Sequence, residues 1–599
     1  MEKKPKSFQE IDAASERVGV IGSPSSTADV LVDVMGHSVD KRLVGALTFF
    51  SFDQAAKRNC AIGQITEIQL RNLWVEGATL RSLIRQKGAV EPLTGRQDTH
   101  TAAMTVGAVF AEDGGKFEQS QLGTVPPTGT PVKQVGDELI EHLLDPYAAI
   151  INRIGRFYGN ETYFPAWFRH FGEGPLGAGE AYHLGIFGKT GSGKSVLSRI
   201  LLMGYAVHPE MTIMVIDPQG EFYQAFAEGT EARNFLEKTL HKPVLTINVR
   251  QLRLMTKGPK YPLFVDLLSK TDFFAELPIY DEANKSRAKA EIASSINRKG
   301  LDDLRTEPLP CWELRQREVF DRVWRALHDD TVLSRIYTDQ KLRERIRNKL
   351  DEVGADDMFS IWEKVAQLFS YQPGPGEKSY RIDEIVKRVD RGSKGEFLVI
   401  DLSEESSSAK VLWNERVQMT VLSHFIEELR KSGEKAYREK RRLNALILLD
   451  EAHRFAPRDI PENDKDLDDK TALRHLLVDS VRTTRKHGLG WGFISQTLAS
   501  VDRELTIQLR IYLFGYGLAW GSEFRALTDL MGGTDALRLY QTFRDPETSL
   551  GERQFPFMVT GPLSPLSFSG SPLFFTALRW PDEALKAIAA RVERLTGSG

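Results

Sequence analysis

Cysteine is almost absent from this chain: only Cys60 and Cys311 occur, and they lie far apart in the sequence. Two distant cysteines form neither a disulfide framework nor a cluster of metal ligands, which favours a reducing compartment. The sequence also lacks an apolar run long enough to cross a bilayer. Residues 1–6 are not followed by the apolar core of a secretory signal. We therefore expect a cytoplasmic protein that does not use a membrane.

A large excess of one charge sign is missing as well. The formal net charge is −3, from 79 basic and 82 acidic residues, which argues against a uniformly basic protein that coats nucleic acid. A locally basic channel stays compatible with this total, because a local field depends on where the charges lie. With 41% hydrophobic and 27% charged residues among 599, the composition is that of an ordinary globular protein. It has room for about two to four domains.

A complete G-x-x-x-x-G-K-[ST] pattern is the strongest positive feature. It lies between residues 182–187, which predict a buried strand, and residues 196–207, which are apolar on a helical period. In this context backbone N–H groups and a helix N-terminus cradle a phosphate chain. The lysine reaches the β- and γ-phosphates, and the serine hydroxyl holds Mg²⁺. The predicted nucleotide-binding residues are Gly188, Lys189, Thr190, Gly191, Ser192, Gly193, Lys194 and Ser195.

A second motif follows the apolar run 445–449, which is typical of a central parallel strand and ends in Asp450 and Glu451. Acidic residues at the carboxyl end of such a strand project toward the nucleotide site. We predict that Asp450 holds Mg²⁺, mostly through water, and that Glu451 polarises the attacking water. The alternative is that the two acids merely open the next loop. Beside a phosphate loop, the pair predicts nucleotide hydrolysis rather than binding alone.

Apolar runs and helical segments alternate along the second half of the chain. Further strands are predicted at 212–216, 397–400, 492–496 and 511–515, with helices at 411–429 and 473–486. This alternation predicts a parallel, doubly wound α/β sheet. Residues 223–394 break it and are too long for a loop, so we predict an inserted helical subdomain there.

The N-terminal part of the chain has a different pattern. Residues 17–130 contain short β-like runs broken by glycine and proline, which predicts a small barrel or sandwich. Before it, residues 1–14 are expected to form a flexible tail.

Several weaker signals surround the predicted site. Gln496 ends a predicted strand, where it can touch the γ-phosphate or merely satisfy backbone groups. Asp217 and Glu221 follow another strand end, where they can contribute to the metal shell or couple the site to a pore. Arg485, beside Arg482 and Lys486, can stabilise transition-state charge on the nucleotide of a neighbouring subunit. It can equally be one of several basic residues that favour a helix C-terminus.

Two charged stretches have no evident catalytic meaning. Arg343, Arg345, Arg347 and Lys349 lie in the insertion, and we interpret them as a solvated helix face balanced by neighbouring acids rather than as a nucleic-acid contact. The acidic segment 461–470 is interpreted as an exposed, mobile loop.

Four motifs together resemble the HerA branch of the HerA/FtsK ATPases. They are H-L-G-I-F at 183–187 leading into the phosphate loop, I-D-P-Q-G-E-F at 216–222, L-L-D-E-A-H-R-F at 448–455, and R-K-H-G at 485–488 leading to S-Q at 495–496. Residues 17–21 and the β-rich region after them look like the N-terminal HAS barrel of that family. Residues 555–559 and 574–577 fit its closing strands. The family's usual glycine before the Arg-Lys pair is Thr484 here.

The resemblance implies a RecA-like P-loop NTPase core, an N-terminal β-barrel and a homohexameric ring that moves duplex DNA with ATP and Mg²⁺. Lys194 and Ser195 would bind nucleotide and metal, Asp450 and Glu451 would carry hydrolysis, and Gln496 would sense the γ-phosphate. Arg485 would be the arginine finger. The resemblance also implies a partner nuclease or other effector, such as a NurA-like or Sir2-like protein, docked on the barrel side in DNA end processing or anti-phage defence.

The expected domain boundaries are 1–14 for the tail, 15–170 for the barrel, 171–222 and 396–580 for the ATPase core, 223–395 for the insertion and 581–599 for a C-terminal helix or tail. Two functions share every hydrolytic residue. The first is a DNA-translocating or unwinding motor. The alternative is a regulatory ATPase scaffold that assembles and activates an effector with little DNA translocation. A membrane-anchored pump is disfavoured by the lack of a spanning segment.

Overall fold

The structure is a computed structural model that describes residues 6–91, 93–254, 261–276, 281–298, 309–370, 378–390, 394–406, 412–464, 466–532, 536–568 and 570–597. The chain forms two compact units. The first contains Met1–His208, Lys238–Leu240 and Trp491–Gly599, and the second contains Pro209–Glu237 and His241–Gly490. None of the helices in these described stretches is both long and apolar enough to cross a membrane.

The first unit begins with a closed β-barrel. Its elements are α1 (Phe8–Ala14), β1 (Arg17–Ile21), β2 (Asp29–Val34), β3 (Leu47–Gln54), β4 (Lys57–Arg71), α2 (Ala78–Lys87), β5 (Thr99–Asp113), β6 (Lys116–Ser120) and β7 (Pro131–Gln134). Six antiparallel strands pair in the order β2-β1-β7-β3-β4-β5, and β2 pairs with β5 to close the ring, while β6 extends β5. Phe50, Ile65 and Met104 are fully buried in its core. This confirms the N-terminal β-barrel.

Residues 8–14, expected to belong to a flexible tail, form the helix α1. The backbone N–H of Ser7 donates to the Glu10 carboxylate at 2.8 Å, and the Ser7 hydroxyl accepts from the Glu10 N–H, which makes a capping box. Phe8 is buried and its ring lies 5.0 Å from that of Phe117 in β6. The helix is short and mostly polar, so its local sequence does not predict it. It is stabilised by the packing of Phe8 on the barrel.

The chain then builds the first elements of the ATPase sheet. These are α3 (Asp137–Leu144), β8 (Ile151–Phe157), β9 (Tyr163–Trp167), β10 (Leu184–Phe187) and α4 (Lys194–Ala206). All four residues of β10 are buried, which is why they read as an uninterrupted apolar run. The predicted strand and the helix after it are both confirmed.

The second unit holds a parallel sheet and the helical insertion. Its elements are β11 (Thr212–Asp217), α5 (Glu221–Ala225), α6 (Glu231–Lys238), β12 (Val244–Ile247), β13 (Leu252–Arg253), α7 (Tyr261–Ser269), α8 (Asp272–Glu276), α9 (Glu282–Ile296), α10 (Arg317–His328), α11 (Asp330–Ile336), α12 (Gln340–Val353), α13 (Ala355–Ser370), β14 (Tyr380–Arg381), α14 (Ile382–Val389), β15 (Phe397–Asp401), α15 (Glu415–Arg438), β16 (Ala445–Leu449), α16 (Ala452–Phe455) and α17 (Leu467–Thr484). Within this unit β12, β15, β11 and β16 lie side by side and all pair in parallel.

The insertion has its own apolar core, built around Trp362. This side chain is fully buried, and its ring lies 4.6 Å from that of Phe264 and 5.8 Å from that of Phe320. The indole N–H donates to the Leu314 carbonyl at 2.7 Å. Aromatic and backbone partners from separate segments of the insertion explain why this long stretch folds as a helical layer.

The basic face of α12 is balanced by acids of the same unit, as predicted. Asp330 lies 3.1 Å from the Arg347 guanidinium and 3.5 Å from that of Arg343, and Lys349 pairs with Glu352 at 3.5 Å. The positive charges of Arg343, Arg347 and Lys349 are therefore paired with acids of the same unit. These pairs confirm the interpretation of α12 as a charge-balanced surface helix.

The last part of the chain returns to the first unit. It contributes β17 (Leu489–Ser495), α18 (Arg503–Thr506), β18 (Ile511–Phe514), α19 (Gly521–Met531), α20 (Ala536–Gln541), β19 (Pro556–Thr560), β20 (Leu573–Ala577) and α21 (Asp582–Gly597). Strand β10 lies between β17 and β18 and pairs with both in parallel, whereas β18, β19, β20, β8 and β9 continue as antiparallel neighbours. The α/β fold with a parallel P-loop core is therefore confirmed.

A buried arginine joins α21 to the helix that follows the phosphate-loop segment. Arg591 is fully buried and donates to the Gly204 carbonyl near the end of α4 at 2.9 Å and to the Ala149 carbonyl at 3.2 Å. Burial lowers the pKa of its guanidinium to about 9, so the group stays cationic at neutral pH. A cation at the C-terminal end of α4 is also favoured by the helix dipole.

We expect Arg591→Met to lower the free energy of unfolding by about 3 kcal/mol, because buried carbonyls then lose a charged donor. Urea unfolding followed by circular dichroism measures this. Arg594→Met is the matched control, since Arg594 lies one turn along on the exposed side of α21 and donates to the Ala590 carbonyl of its own helix. Equal unfolding midpoints for the two variants would contradict a stabilising role for the hydrogen bonds of Arg591.

Candidate functional site: a phosphate loop and a carboxylate edge

The loop between β10 and α4 has the backbone that a phosphate cradle needs. Gly191 and Gly193 have φ angles of 79° and 87°, a region that residues with a Cβ rarely adopt. A Cβ on Gly193 would lie 2.4 Å from Cγ of Phe555, and one on Gly191 would lie 2.5 Å from Oε1 of Glu547. Both glycines are therefore required by conformation, and Gly193 is also required by space, because the Phe555 ring lies against it.

The first turn of α4 carries the two functional side chains of the loop. Lys194 begins the helix, is 9% exposed, and donates from Nζ to the Lys189 carbonyl at 3.1 Å. Ser195 follows in the same turn. The N–H groups of a first helical turn have no partner within the helix and point at whatever occupies the loop. Lysine, serine hydroxyl and helix N-terminus thus meet at one place in the first unit.

The structure brings Gln496 to this loop. The Thr190 hydroxyl donates to Oε1 of Gln496 at 3.1 Å, and the Gly188 N–H donates to the Ser495 carbonyl at 3.2 Å. Gln496 is half-buried at the end of β17, beside β10. A side-chain amide in this position is able to report on the terminal phosphate of a bound nucleotide.

Acidic residues occupy the carboxyl ends of three neighbouring strands in the second unit. Asp217 ends β11, Asp401 ends β15, and Asp450 and Glu451 follow β16. Asp217 and Asp401 lie opposite each other in the register of the parallel strands β11 and β15. The Asp450 N–H donates to the Ile216 carbonyl at 3.2 Å. All four acids are at most 5% exposed. Parallel register therefore gathers buried carboxylates at one edge.

Burial and mutual repulsion govern the charge of this edge. Burial, reinforced by Glu451 and Asp217, raises the pKa of Asp450 to about 8. Burial also raises the pKa of Asp217 to about 6, against the three backbone N–H groups that its carboxylate accepts. Such a site favours a cation that offsets the negative charge.

Carboxylate and hydroxyl oxygens are the ligands that Mg²⁺ prefers. Within the described stretches of chain, no group of three or more acidic, histidine or cysteine side chains converges as a complete metal cage. Mg²⁺ usually takes one or two protein ligands and completes its shell with water and substrate phosphates.

Glu451 has an unusual backbone. Its φ of 52° and ψ of 41° place it in the left-handed region, where it caps α16, and its N–H donates to Oδ1 of Asp450 at 2.8 Å. His453 Nδ1 lies 3.2 Å from Oε2 of Glu451. A non-glycine residue in this conformation costs on the order of 1 kcal/mol, and such strain concentrates at functional sites.

Asp217 organises the turn after β11. Its carboxylate accepts N–H groups from Gln219 at 3.3 Å, from Gly220 at 2.8 Å and from Tyr223 at 2.8 Å. These bonds hold the start of α5, where Glu221 is exposed. The turn therefore accounts for Asp217 without a metal.

Arg485 lies on the exposed surface of the second unit. It follows α17 directly, in a short 3₁₀ turn, with Arg482 exposed in the last turn of the helix. Thr484 is buried and its hydroxyl donates to the Ser480 carbonyl at 2.6 Å, so ordinary helix continues up to Arg485. The position suits a helix-dipole contact and contact with a neighbouring copy equally.

The acidic segment 461–470 is not the mobile loop expected from its composition. Asp464 pairs with Lys470 at 2.9 Å, Asp466 forms an ion pair with Arg416 of α15, and Asp469 pairs with Lys270 at 3.1 Å. Lys465 lies outside the described residues. Cationic side chains therefore pair with three acids of the segment, two of them from distant parts of the second unit, whereas Glu462 stays exposed.

Local sequence revealed the loop glycines, Lys194, Ser195, Asp450, Glu451 and Gln496, and the structure places each at the end of a strand or the start of a helix. It did not reveal Glu547 and Phe555, which pack against Gly191 and Gly193 from more than 350 residues away in sequence. Residues 555–559 do resemble a closing strand of the HerA family, but no local pattern marks Glu547 or Phe555 as a neighbour of the phosphate loop.

Comparison with known proteins identifies the domain that contains the phosphate loop. Residues 181–429 match the family described as "Helicase HerA, central domain". A search of curated proteins finds no match.

Solved structures show more distant likeness. VirB4 of Thermoanaerobacter pseudethanolicus is 16% identical, with 72% of this chain and 97% of that one covered and a TM-score of 0.37. The bacterial conjugative coupling protein TrwB is 12% identical, with 66% and 84% covered and a TM-score of 0.35. The genome-packaging NTPase B204 of Sulfolobus turreted icosahedral virus 2 is 8% identical, with 66% and 98% covered and a TM-score of 0.28.

These structures are too distant to assign a role to any residue here, and the family match carries the identification. It begins just before β10 and includes the phosphate loop, β11 and β15. Residues 181–429 therefore match the central domain of the HerA family, and the chain is a HerA-like ATPase.

Proposed function

We infer that this chain is a ring-forming motor, a hexamer, that hydrolyses ATP to translocate on or unwind duplex DNA. The observation that carries this proposal is the HerA central-domain match over residues 181–429, which includes an intact phosphate loop on β10 and α4. The buried acids after β16 support hydrolysis as well as binding.

The proposed roles follow the chemistry of each side chain. Lys194 is proposed to bind the β- and γ-phosphates as a point charge, with the loop N–H groups around them. Ser195 and Asp450 are the residues that would hold Mg²⁺, which supplies charge neutralisation of the phosphates when bound. Glu451 is proposed to orient and deprotonate the attacking water, and Gln496 to sense the terminal phosphate.

Arg485 is proposed to act on the nucleotide of a neighbouring copy. It is exposed, as a group that works across an interface must be before assembly. A guanidinium placed there stabilises the charge that develops during phosphoryl transfer.

The barrel, residues 15–170, is proposed to dock a partner nuclease or other effector, NurA-like or Sir2-like, in DNA end processing or anti-phage defence. The core is proposed to comprise residues 171–222 and 396–580, interrupted by the insertion 223–395, with 581–599 as a closing segment. These roles and boundaries rest on resemblance to the family.

The motor is tested by measuring phosphate release from Mg²⁺-ATP with and without linear duplex DNA, together with the mass of the particle. We expect a severalfold stimulation by duplex DNA and a hexameric mass with nucleotide, since a translocase couples turnover to its track. Single-stranded DNA of the same length is the control. Hydrolysis that is indifferent to DNA, in a ring that an effector needs for its own activity, would contradict the motor and support the regulatory scaffold.

A further inference from the structure

An exposed aromatic pair lies in the loop between β18 and α19, residues 515–520. Trp520 is 59% exposed, and the ring of Tyr516 meets it edge-on, with centroids 6.2 Å apart and an interplanar angle of 79°. Large apolar side chains gain stability from burial, but single exposed ones are common, and Trp74 is as exposed as Trp520. What sets Trp520 apart is its place beside the phosphate loop.

This loop is bound directly to the phosphate loop. The Lys189 N–H donates to the Tyr516 carbonyl at 2.9 Å, and the Lys189 ammonium lies 5.5 Å from the centre of the Trp520 ring, a cation–π contact. A Cβ on Gly517 would lie 2.6 Å from Cγ of Lys189. The aromatic pair therefore stands one side chain away from the residues that cradle phosphate.

The loop is also held rigidly. The buried hydroxyl of Tyr540 donates to the Gly515 carbonyl at 2.6 Å and accepts from the Leu518 N–H at 3.1 Å. In α19, the Glu523 carboxylate accepts the Leu498 N–H at 2.7 Å, which ties that helix to the segment after Gln496. A stacking surface costs least to use when it is ordered before the ligand arrives.

We propose that Trp520, flanked by Tyr516, is the platform on which the base of the bound nucleotide stacks. The inference rests on the proposed function, in that the triphosphate must occupy the phosphate loop. A ribose joins base and phosphates, so the base lies beyond the loop and within reach of an aromatic surface that contacts it.

The chemistry of the platform sets its selectivity. Stacking depends on the area of the π-face and not on the hydrogen-bonding edge of the base. The platform therefore favours purine over pyrimidine nucleotides and separates ATP only weakly from GTP.

The test compares two probes on the full chain: Mg²⁺-ATP, which has a base, and inorganic tripolyphosphate with Mg²⁺, which has none. Isothermal titration calorimetry gives Kd for each. We expect Trp520→Ala to weaken ATP about tenfold and to leave tripolyphosphate unchanged, in line with the loss of one base–aromatic stack. Trp520→Phe keeps an aromatic face and should recover most of the loss.

Trp74→Ala is the matched control, because Trp74 is also 59% exposed but lies on the barrel between β4 and β5. Thermal midpoints of all variants establish that the fold is retained. ATP binding unchanged in Trp520→Ala overturns the platform. So does an equal loss for ATP and tripolyphosphate, which indicates a damaged loop. Failure of the unaltered protein to bind either probe overturns the proposed function itself, and the platform with it.

Discussion

Glu451→Gln should lower the turnover number for ATP by about 10²- to 10⁴-fold while ATP binding persists, since that is the range a positioned general base contributes. The carboxylate is 5% exposed, follows the buried strand β16 and is held by a left-handed backbone. Glutamine has the same length and accepts hydrogen bonds, but it does not take a proton. Binding contacts survive and proton abstraction does not.

Phosphate release under saturating Mg²⁺-ATP measures the turnover number, and calorimetric titration measures binding. Glu462→Gln is the matched control, because Glu462 is an exposed acid eleven residues further along the same connection, and its variant should behave as the unaltered protein. If the Glu451→Gln protein binds ATP and hydrolyses it at the normal rate, Glu451 is not the general base.

Lys194→Ala should weaken ATP binding at least tenfold, and hydrolysis should fall with it. The Lys194 ammonium is nearly buried at the start of α4 and donates to the Lys189 carbonyl at 3.1 Å. It is the cation that we propose to pair with the β- and γ-phosphates. Truncating one partner of a charged hydrogen-bonded pair costs about 2–5 kcal/mol. The same titration and phosphate-release assays check both effects.

The two substitutions separate binding from chemistry, since one should lose affinity and the other turnover. Lys349→Ala on α12 is the control for the lysine, because its ammonium pairs with Glu352 at the surface of the insertion. An unchanged ATP affinity in Lys194→Ala would contradict the assignment of the phosphate loop.

Those parts of the fold that depend on neighbours in sequence could be predicted from sequence. The loop glycines, the apolar strands and the acids at their ends are each a local pattern, because a buried parallel strand is a short apolar run and its carboxyl end is the next residue. Lys194, Asp450 and Glu451 are therefore recognisable from the few residues on either side of them.

Features that depend on distant partners are not recognisable in this way. The strand β12 lies within a segment expected to be mainly helical, and it gains its place by pairing with β15, whose residues are about 150 positions later. The acidic composition of segment 461–470 predicts an exposed, mobile loop. That prediction is wrong because two cationic partners of the segment, Arg416 and Lys270, are far away in sequence. Pairing across such distances leaves no trace in local composition.

The left-handed backbone at Glu451 sets a cost on keeping an acid at this position. Glycine adopts this conformation without the penalty that glutamate carries, so Glu451→Gly would relieve the backbone strain while it removes the carboxylate. If Glu451 acts on water as proposed, relief of strain and loss of turnover would come from the same substitution.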